Sequence, residues 1–300
     1  MKTLHVELDW FANTNHTGFY VALAKGYYRD AGIEVRVNGE FGGCGHQFAG
    51  EPDIVVAPQP AMLVYMDTAL AEEQATAVAV LTQRNDSGII SLKECGITRP
   101  RRLEGRRLTH WAPEWFHAVI GHMVARDGGD YAKVRLVEKD VGDIAETLGN
   151  DGDAVWIYKN WEWFVMKRAG KECNYFALAD LDPVMDFCAP AVAAKNRLIE
   201  TDPEAVRAFV AASGQGFSDA AQNPVKAAEL LHRYTPHFDL ELLTESQEYV
   251  SGLYLDAEGR WGTIAPERWD RFSRFMKELG LTSRDISGGA GGFTIDFQAR

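Results

Sequence analysis

Asp9, Trp10, Asn15, His16 and Tyr20 place a carboxylate, two aromatic rings, an amide and an imidazole within one short segment. That inventory suits sandwiching a flat heteroaromatic ring and hydrogen-bonding its edge nitrogens. Each residue also has a purely structural reading: Asp9 can cap the loop, His16 can anchor the turn and Tyr20 can pack in the core. Three further segments repeat the mixture. Residues 57–62 (Ala-Pro-Gln-Pro-Ala-Met) offer the Gln59 amide. Residues 109–117 (Thr-His-Trp-Ala-Pro-Glu-Trp-Phe-His) carry Trp111, Glu114 and Trp115, with a helix predicted to open at Pro113 or Glu114, whose free N–H groups could receive an anionic group. Residues 153–163 (Asp-Ala-Val-Trp-Ile-Tyr-Lys-Asn-Trp-Glu-Trp) carry Tyr158, Asn160 and Glu162, while Trp156 and Trp163 read as core. Ser87 and Asp186 complete the candidate ligand contacts.

Other chemistries have less support. His110, His117 and His122 do not form the HExxH spacing of a zinc hydrolase. The cysteines, at 44, 95, 173 and 188, have no CxxC pair, and Cys44 with His46 lacks the two further ligands a zinc site needs. No metal is expected. Residues 287–292 (Ser-Gly-Gly-Ala-Gly-Gly) read as a flexible stretch, without the spacing or the strand-to-helix setting of a phosphate loop.

The elements that must position these residues follow from periodicity. Strand-like runs at 4–8, 33–37, 53–57 and 77–82 alternate with helix-like runs, the pattern of βα units in a largely parallel sheet. The segment at 9–16 therefore opens at the carboxyl end of a buried strand, where open α/β sheets bind ligands. One helix is predicted over 18–31, ended by Gly32. The polar run 83–88 before Ile89-Ile90 reads as a crossover into a second lobe. Asp202-Pro-Glu predicts a capped helix start, and Asn223-Pro224 the same device. A helix over 266–279 puts Trp269, Phe272, Phe275, Met276 and Leu279 on one apolar face.

Bulk properties narrow the partners. Three hundred residues, 46% of them hydrophobic, can bury a large core, and a formal charge of -12 disfavours nucleic acid and anionic membrane surfaces, which attract excess Lys and Arg. No window approaches the roughly 20 apolar residues of a membrane span, so no membrane insertion is expected. His5, Glu7 and Asp9 interrupt the first apolar run, so it does not read as a signal core. The chain is expected to be extracytoplasmic if a signal was trimmed and cytoplasmic if it is complete.

The run over residues 4–37, the Leu-Glu-Gly-Arg at 103–106 and the segment at 153–163 resemble the thiamine-pyrimidine family, which holds substrate-binding proteins of ABC importers for formylaminopyrimidine and the related fungal-type pyrimidine synthases. The resemblance implies an α/β, two-lobed type 2 periplasmic binding protein-like fold, with mixed sheets flanked by helices and a ligand cleft at the hinge. Lobe 1 would span 1–88 and 193–300, and lobe 2 would span 89–192. It implies a solute-binding protein for a thiamine-precursor-like pyrimidine or related small heteroaromatic, without a cofactor, served by an ABC permease and ATPase. The synthases carry a lysine and, four residues on, a histidine, positions that align here with Ala57 and Ala61, and a methyl group can neither form the pyridoxal phosphate imine nor donate ring atoms. Their cysteine-rich iron motif is reduced to Phe187-Cys188. The alternatives are a divergent synthase-like enzyme, with Lys159 or Lys195 as a substitute lysine, and a cytosolic ligand sensor.

Overall fold

The computed structural model describes residues 1–40, 48, 51–111 and 114–298. Cys44, His46, Pro113 and most of the loop at 39–50 lie outside them. Ten strands are present among the described residues: β1 (Lys2–Glu7), β2 (Ile33–Asn38), β3 (Ile54–Ala57), β4 (Ala75–Val80), β5 (Ser87–Leu92), β6 (Arg107–His110), β7 (Arg135–Glu138), β8 (Ala154–Tyr158), β9 (Cys173–Ala177) and β10 (Ala191–Lys195). They form two five-stranded mixed sheets, ordered β2-β1-β3-β10-β4 and β7-β6-β8-β5-β9. The chain divides into two compact units, Met1–Arg84 with Phe187–Arg300, and Asn85–Asp186.

In the first unit, β1 runs parallel to β2 with Leu4 opposite Val35 and Val6 opposite Val37, and parallel to β3 on its other side. β10 returns antiparallel between β3 and β4. The central strands Ile-Val-Val-Ala of β3 and Ala-Val-Ala-Ala-Lys of β10 are buried at every position, as strands covered on both faces should be. The single helix predicted over 18–31 is two: Thr17–Lys25 and Tyr27–Asp30. Gly26, at φ 81°, takes the left-handed conformation that stops the first helix, a conformation that costs a residue with a Cβ more than it costs glycine.

Helix Thr17–Lys25 crosses the long helix Pro203–Gln222 at reciprocal glycines. A Cβ on Gly216 would sit 2.0 Å from the Gly18 carbonyl oxygen, and one on Gly18 would sit 2.1 Å from the Phe217 ring. Asp202 caps the long helix, accepting from the Ala205 N–H at 3.1 Å. Asn223 does not repeat that device: its side chain makes no cap bond and instead donates to the Asp219 carbonyl, leaving Pro224 at the helix start as the shared feature. In helix Pro266–Glu278 the apolar face is buried through Trp269, Phe272, Phe275 and Met276, but Leu279 falls past the last turn and is 41% exposed. The stretch at 287–292, read as flexible from its composition, is a turn anchored at its ends. It contains a short 3-10 turn, Gly292 accepts from the Ala77 N–H at 3.1 Å, and a Cβ on Gly292 would meet the Ile286 carbonyl oxygen at 2.0 Å. At Gly288 and Gly292 glycine serves close approach.

In the second unit, β6 lies parallel to both β7 and β8, and β5 pairs antiparallel with β8 and β9. Helix Glu114–Arg126 buries Trp115, Phe116, Val119, Ile120 and Met123 on one face, at three- and four-residue spacing. The turn after β8, Lys159–Trp163, is a π-helix before the chain continues as the α-helix Phe164–Arg168. Single π turns recur at functional sites because their wider ring re-aims side chains.

Candidate functional site

Each unit has its own topological switch point. The chain leaving β1 travels to β2 on one side, and the chain leaving the adjacent parallel β3 travels the other way towards β4. β6 and β8 stand in the same relation, β6 leading to β7 and β8 leading to β9. At such points connections diverge and leave a crevice at the carboxyl ends of the strands. Two of the segments singled out from sequence follow β1 and β3, and the other two follow β6 and β8.

In the first unit the loop after β1 is tightly fixed. Asn13 forms a capping box with His16: the Asn13 side chain accepts from Asn15 N at 2.9 Å, and the His16 Nδ1 accepts from Asn13 N at 3.4 Å. With Nδ1 accepting, the ring proton sits on Nε2 and points at the Asp9 Oδ1, 3.0 Å away. His16 is fully buried, so Asp9 is held from behind in one orientation. Thr14 and Thr17 tie the same turn to helix Leu240–Ser251, through Ser246 at 2.6 Å and Gln247 at 2.5 Å, and Tyr254 donates to the Thr14 carbonyl. Trp10 is half-buried, its ring 5.5 Å from Phe11. Asn15 is buried at 8% exposure. Tyr20 packs against Tyr234 at 5.0 Å, and burial raises its pKa well above the ordinary phenol value, which keeps the hydroxyl neutral.

Gln59 serves a structural purpose. It is fully buried, its Oε1 accepts from Cys188 N at 2.9 Å and its Nε2 donates to the Trp269 carbonyl at 3.0 Å, so the amide bridges β3, the start of β10 and a helix. Sequence reasoning placed it at a strand's carboxyl end and could not see that the groups beside it already use both ends of the amide. Arg268, which sequence reasoning missed, acts in a similar way. It donates to the Thr82 and Phe187 carbonyls at 3.1 and 2.8 Å, clasping the two strand connections that end the first unit. Arg268 is 8% exposed, and the helical pattern around it signals core.

In the second unit the π turn gathers acidic groups. Tyr158 N donates to the Glu162 Oε2 at 3.1 Å, and Asn160 N donates to the Asp86 Oδ2 at 2.9 Å. Amides two residues apart thus each hold one oxygen of a different carboxylate. Asp86 is 7% exposed, and burial pushes its carboxyl up to about 7, against the opposing pull of the Asn160 N–H and the Lys159 ammonium. Glu162 is a half-buried residue whose carboxyl reaches inward. Burial, with the Asp86 charge adding to it, pushes that carboxyl up to about 7 as well. Asp86 was passed over in the polar run 83–88, because nothing in the local pattern shows that one of its residues is buried against a distant turn.

The remaining candidates divide. Tyr158 and Trp111 are half-buried, the latter 5.7 Å from the Phe116 ring, and Glu114 is exposed on the first turn of its helix. Trp115 is 6% exposed and stands edge-on to Trp156 at 5.7 Å, which makes both part of the core of this unit. Asn160 is fully buried, and its backbone positions Asp86. Asp186 accepts from Asn85 N at 2.8 Å, joining the segment that enters the unit to the one that leaves it. Ser87 is fully buried, with no hydrogen-bond partner for its hydroxyl among the described residues.

The two lysines considered for imine chemistry are both engaged. Lys195 donates to the Tyr65 hydroxyl and to the Glu73 carbonyl, and burial lowers its pKa. The Lys159 ammonium lies 5.8 Å from the Trp163 ring centre and 5.5 Å from that of Tyr175. Among the described residues no cluster of three or more His, Cys, Asp or Glu could hold a metal, and no helix is long and apolar enough to cross a membrane.

Known proteins share this fold. The formylaminopyrimidine-binding protein of Halalkalibacterium halodurans is 24% identical over 286 residues, covering 90% of this chain and 83% of that protein. The riboflavin-binding protein RibY of Chloroflexus aurantiacus is 26% identical over 308 residues, covering 95% and 83%. The alkanesulfonate-binding protein SsuA from Xanthomonas axonopodis pv. citri, solved bound to MOPS, superposes with a TM-score of 0.71 at 12% identity, covering 96% of this chain and 97% of that one. The desulfurization enzyme DSZB does so with a TM-score of 0.65 at 14% identity, covering 99% and 97%. The fold is that of the periplasmic binding proteins, and it carries binders and at least one enzyme. The model of the NMT1/THI5-like family matches residues 13–227, and the chain belongs to that family.

Proposed function

We propose that this chain is a solute-binding protein for a small heteroaromatic ring of the thiamine-precursor pyrimidine kind, acting with an ABC permease and ATPase. The observation that carries the reading is the π turn after β8, which holds Glu162 and Asp86 on backbone amides at a switch point beside Tyr158. A pair of carboxyls pushed up to about 7 suits an edge that presents an amino group next to a ring nitrogen, an ionised one accepting from the amino N–H and a protonated one donating to the ring nitrogen. Asp9, fixed by His16, and Trp10 offer a third carboxylate and a stacking face in the first unit.

Two further facts favour binding over catalysis. The two curated relatives described above are named as binding proteins, and Ala57 and Ala61 supply neither nucleophile nor ring donor. Trp111, Glu114, Tyr158 and Glu162 are the proposed ligand contacts of the second unit, and Asp9, Trp10 and Tyr20 those of the first.

Native mass spectrometry of the purified protein, followed by denaturing extraction, tests this reading. A co-purifying pyrimidine is the expected result. An apo mass, together with no rise in melting temperature across thiamine, hydroxymethylpyrimidine, formylaminopyrimidine and riboflavin, would reject it.

A further inference from the structure

The second unit holds a cavity of about 360 Å³ at the edge of its sheet, where the π turn, helix Phe164–Arg168 and the start of β9 meet. Its size lies within the range of small-molecule sites. None of Trp111, Glu114, Tyr158 and Glu162 lines it. The least exposed lining residues are apolar: Met166 is fully buried, and Trp163 and Cys173 are half-buried. Lys93, Lys167 and Lys171 line the same cavity and are exposed, with Glu172 as the one acid among them. A chain of formal charge -12 thus gathers three ammonium groups against one carboxylate around an apolar recess.

The fold itself does not call for that gathering of charge. Helix Phe164–Arg168 is closed by main-chain amides: Ala169 N, Gly170 N and Lys171 N donate to the Val165, Lys167 and Met166 carbonyls at 3.0, 3.1 and 3.1 Å. Glu172 meets Lys93 at 2.9 Å, but the two side chains are 76% and 61% exposed, so solvent screens the pair and it yields readily to another anion. Lys171 donates to the Ala145 carbonyl at 2.6 Å, a neutral partner that leaves the ammonium charge in place. Lysine heads on flexible stems beside an apolar surface suit a ligand with a carboxylate at one end and an apolar body at the other.

We infer that this cavity is a second ligand site, which takes a small organic carboxylate with a flat apolar body, the body lying against Trp163 and Met166 and the carboxylate meeting Lys171 and Lys93. The site is separate from the residues proposed above to bind a heteroaromatic ring, and it stands or falls without them.

The experiment titrates 2-naphthoate, and its uncharged analogue 2-naphthylmethanol, into the full chain and follows two reporters inside the cavity. One is the Cys173 thiol, alkylated with iodoacetamide and read by peptide mass; burial pushes that thiol up to about 11, so the reaction is run at alkaline pH. The other is the Met166 methyl group, read by NMR of the chain labelled at its methionine methyls. Naphthoate should slow alkylation of Cys173 and shift the Met166 methyl with one dissociation constant, while Cys95, which does not line the cavity, reacts at an unchanged rate. Naphthylmethanol should bind at least about tenfold more weakly, the size of one charge-assisted hydrogen bond. Lys171→Gln should weaken naphthoate by a similar factor and leave naphthylmethanol within about twofold, and Lys171→Arg should keep naphthoate binding; Lys93→Gln carries the same comparison if Lys171→Gln does not fold. Equal affinity for the two probes, or an equal response of both to the loss of a lysine, overturns the carboxylate site. So does silence of both reporters, whether naphthoate binds elsewhere on the chain or not at all.

Discussion

Asp86→Asn should make the protein more stable at alkaline pH and leave it nearly unchanged at acid pH. The Asp86 carboxyl moves from 3.8 when solvated to about 7 in the folded chain, chiefly through burial. A raised carboxyl pKa means that the folded state binds a proton the unfolded state has released. The associated stability is fully present below the unfolded value near 3.8 and is lost as pH rises through the folded value near 7. At 1.36 kcal/mol per unit, roughly three units amount to about 4 kcal/mol, of which more than half falls between pH 5 and pH 8. Asp86 is 7% exposed, so solvent screening takes little from that figure. Asparagine keeps an oxygen to accept from Asn160 N, while the charge that burial penalises is gone. Urea unfolding of both chains at pH 5 and pH 8 is the assay, with all other titrating groups common to the two. The difference in unfolding free energy should widen by about 2–3 kcal/mol in favour of the variant at pH 8. Parallel pH dependences would refute the argument. Glu162→Gln should act in the same direction, and the double variant should gain less than the sum, because the repulsion between the two carboxylates is removed only once.

Three further outcomes follow from the geometry. Gly216→Ala should destabilise the fold by about 1–3 kcal/mol in denaturant melts, since its Cβ would meet the Gly18 carbonyl oxygen at 2.0 Å and the two helices must part. Asp202→Ala should cost about 1 kcal/mol through the lost cap of the long helix, with ligand affinity unaffected in calorimetry. His16→Ala should cost about 1–3 kcal/mol, because the Asn13 N–H loses its buried acceptor, and should also weaken ligand binding by releasing Asp9; unchanged affinity in a folded variant would remove Asp9 from the site.

Much of the architecture was legible locally. The strands at 33–37 and 53–57, the capped start at Asp202 and the buried face of helix Pro266–Glu278 depend on periodicity and capping chemistry, which act over a few residues and leave their mark in the sequence. The break at Gly26 carried a signal too: a glycine within a helical run, overridden by the apolar pattern on either side. Close approach at Gly288 and Gly292 was not legible, because glycine is used both for mobility and for close approach, and the neighbours concerned, Phe293 and Trp269, are brought there by the fold.

The candidate site divides along the same line. Sequence determined which loops follow which strands, and so brought Asp9, Trp10, Tyr158 and Glu162 into view. Tertiary structure decided what each side chain is free to do. It consumed the Gln59 amide between Cys188 and Trp269, buried Trp115 against Trp156, and set Asp86 beside a π turn more than seventy residues away. Propensity and capping are properties of neighbours along the chain, whereas burial, hydrogen-bond saturation and pKa are properties of neighbours in space, and those exist once the strands have paired.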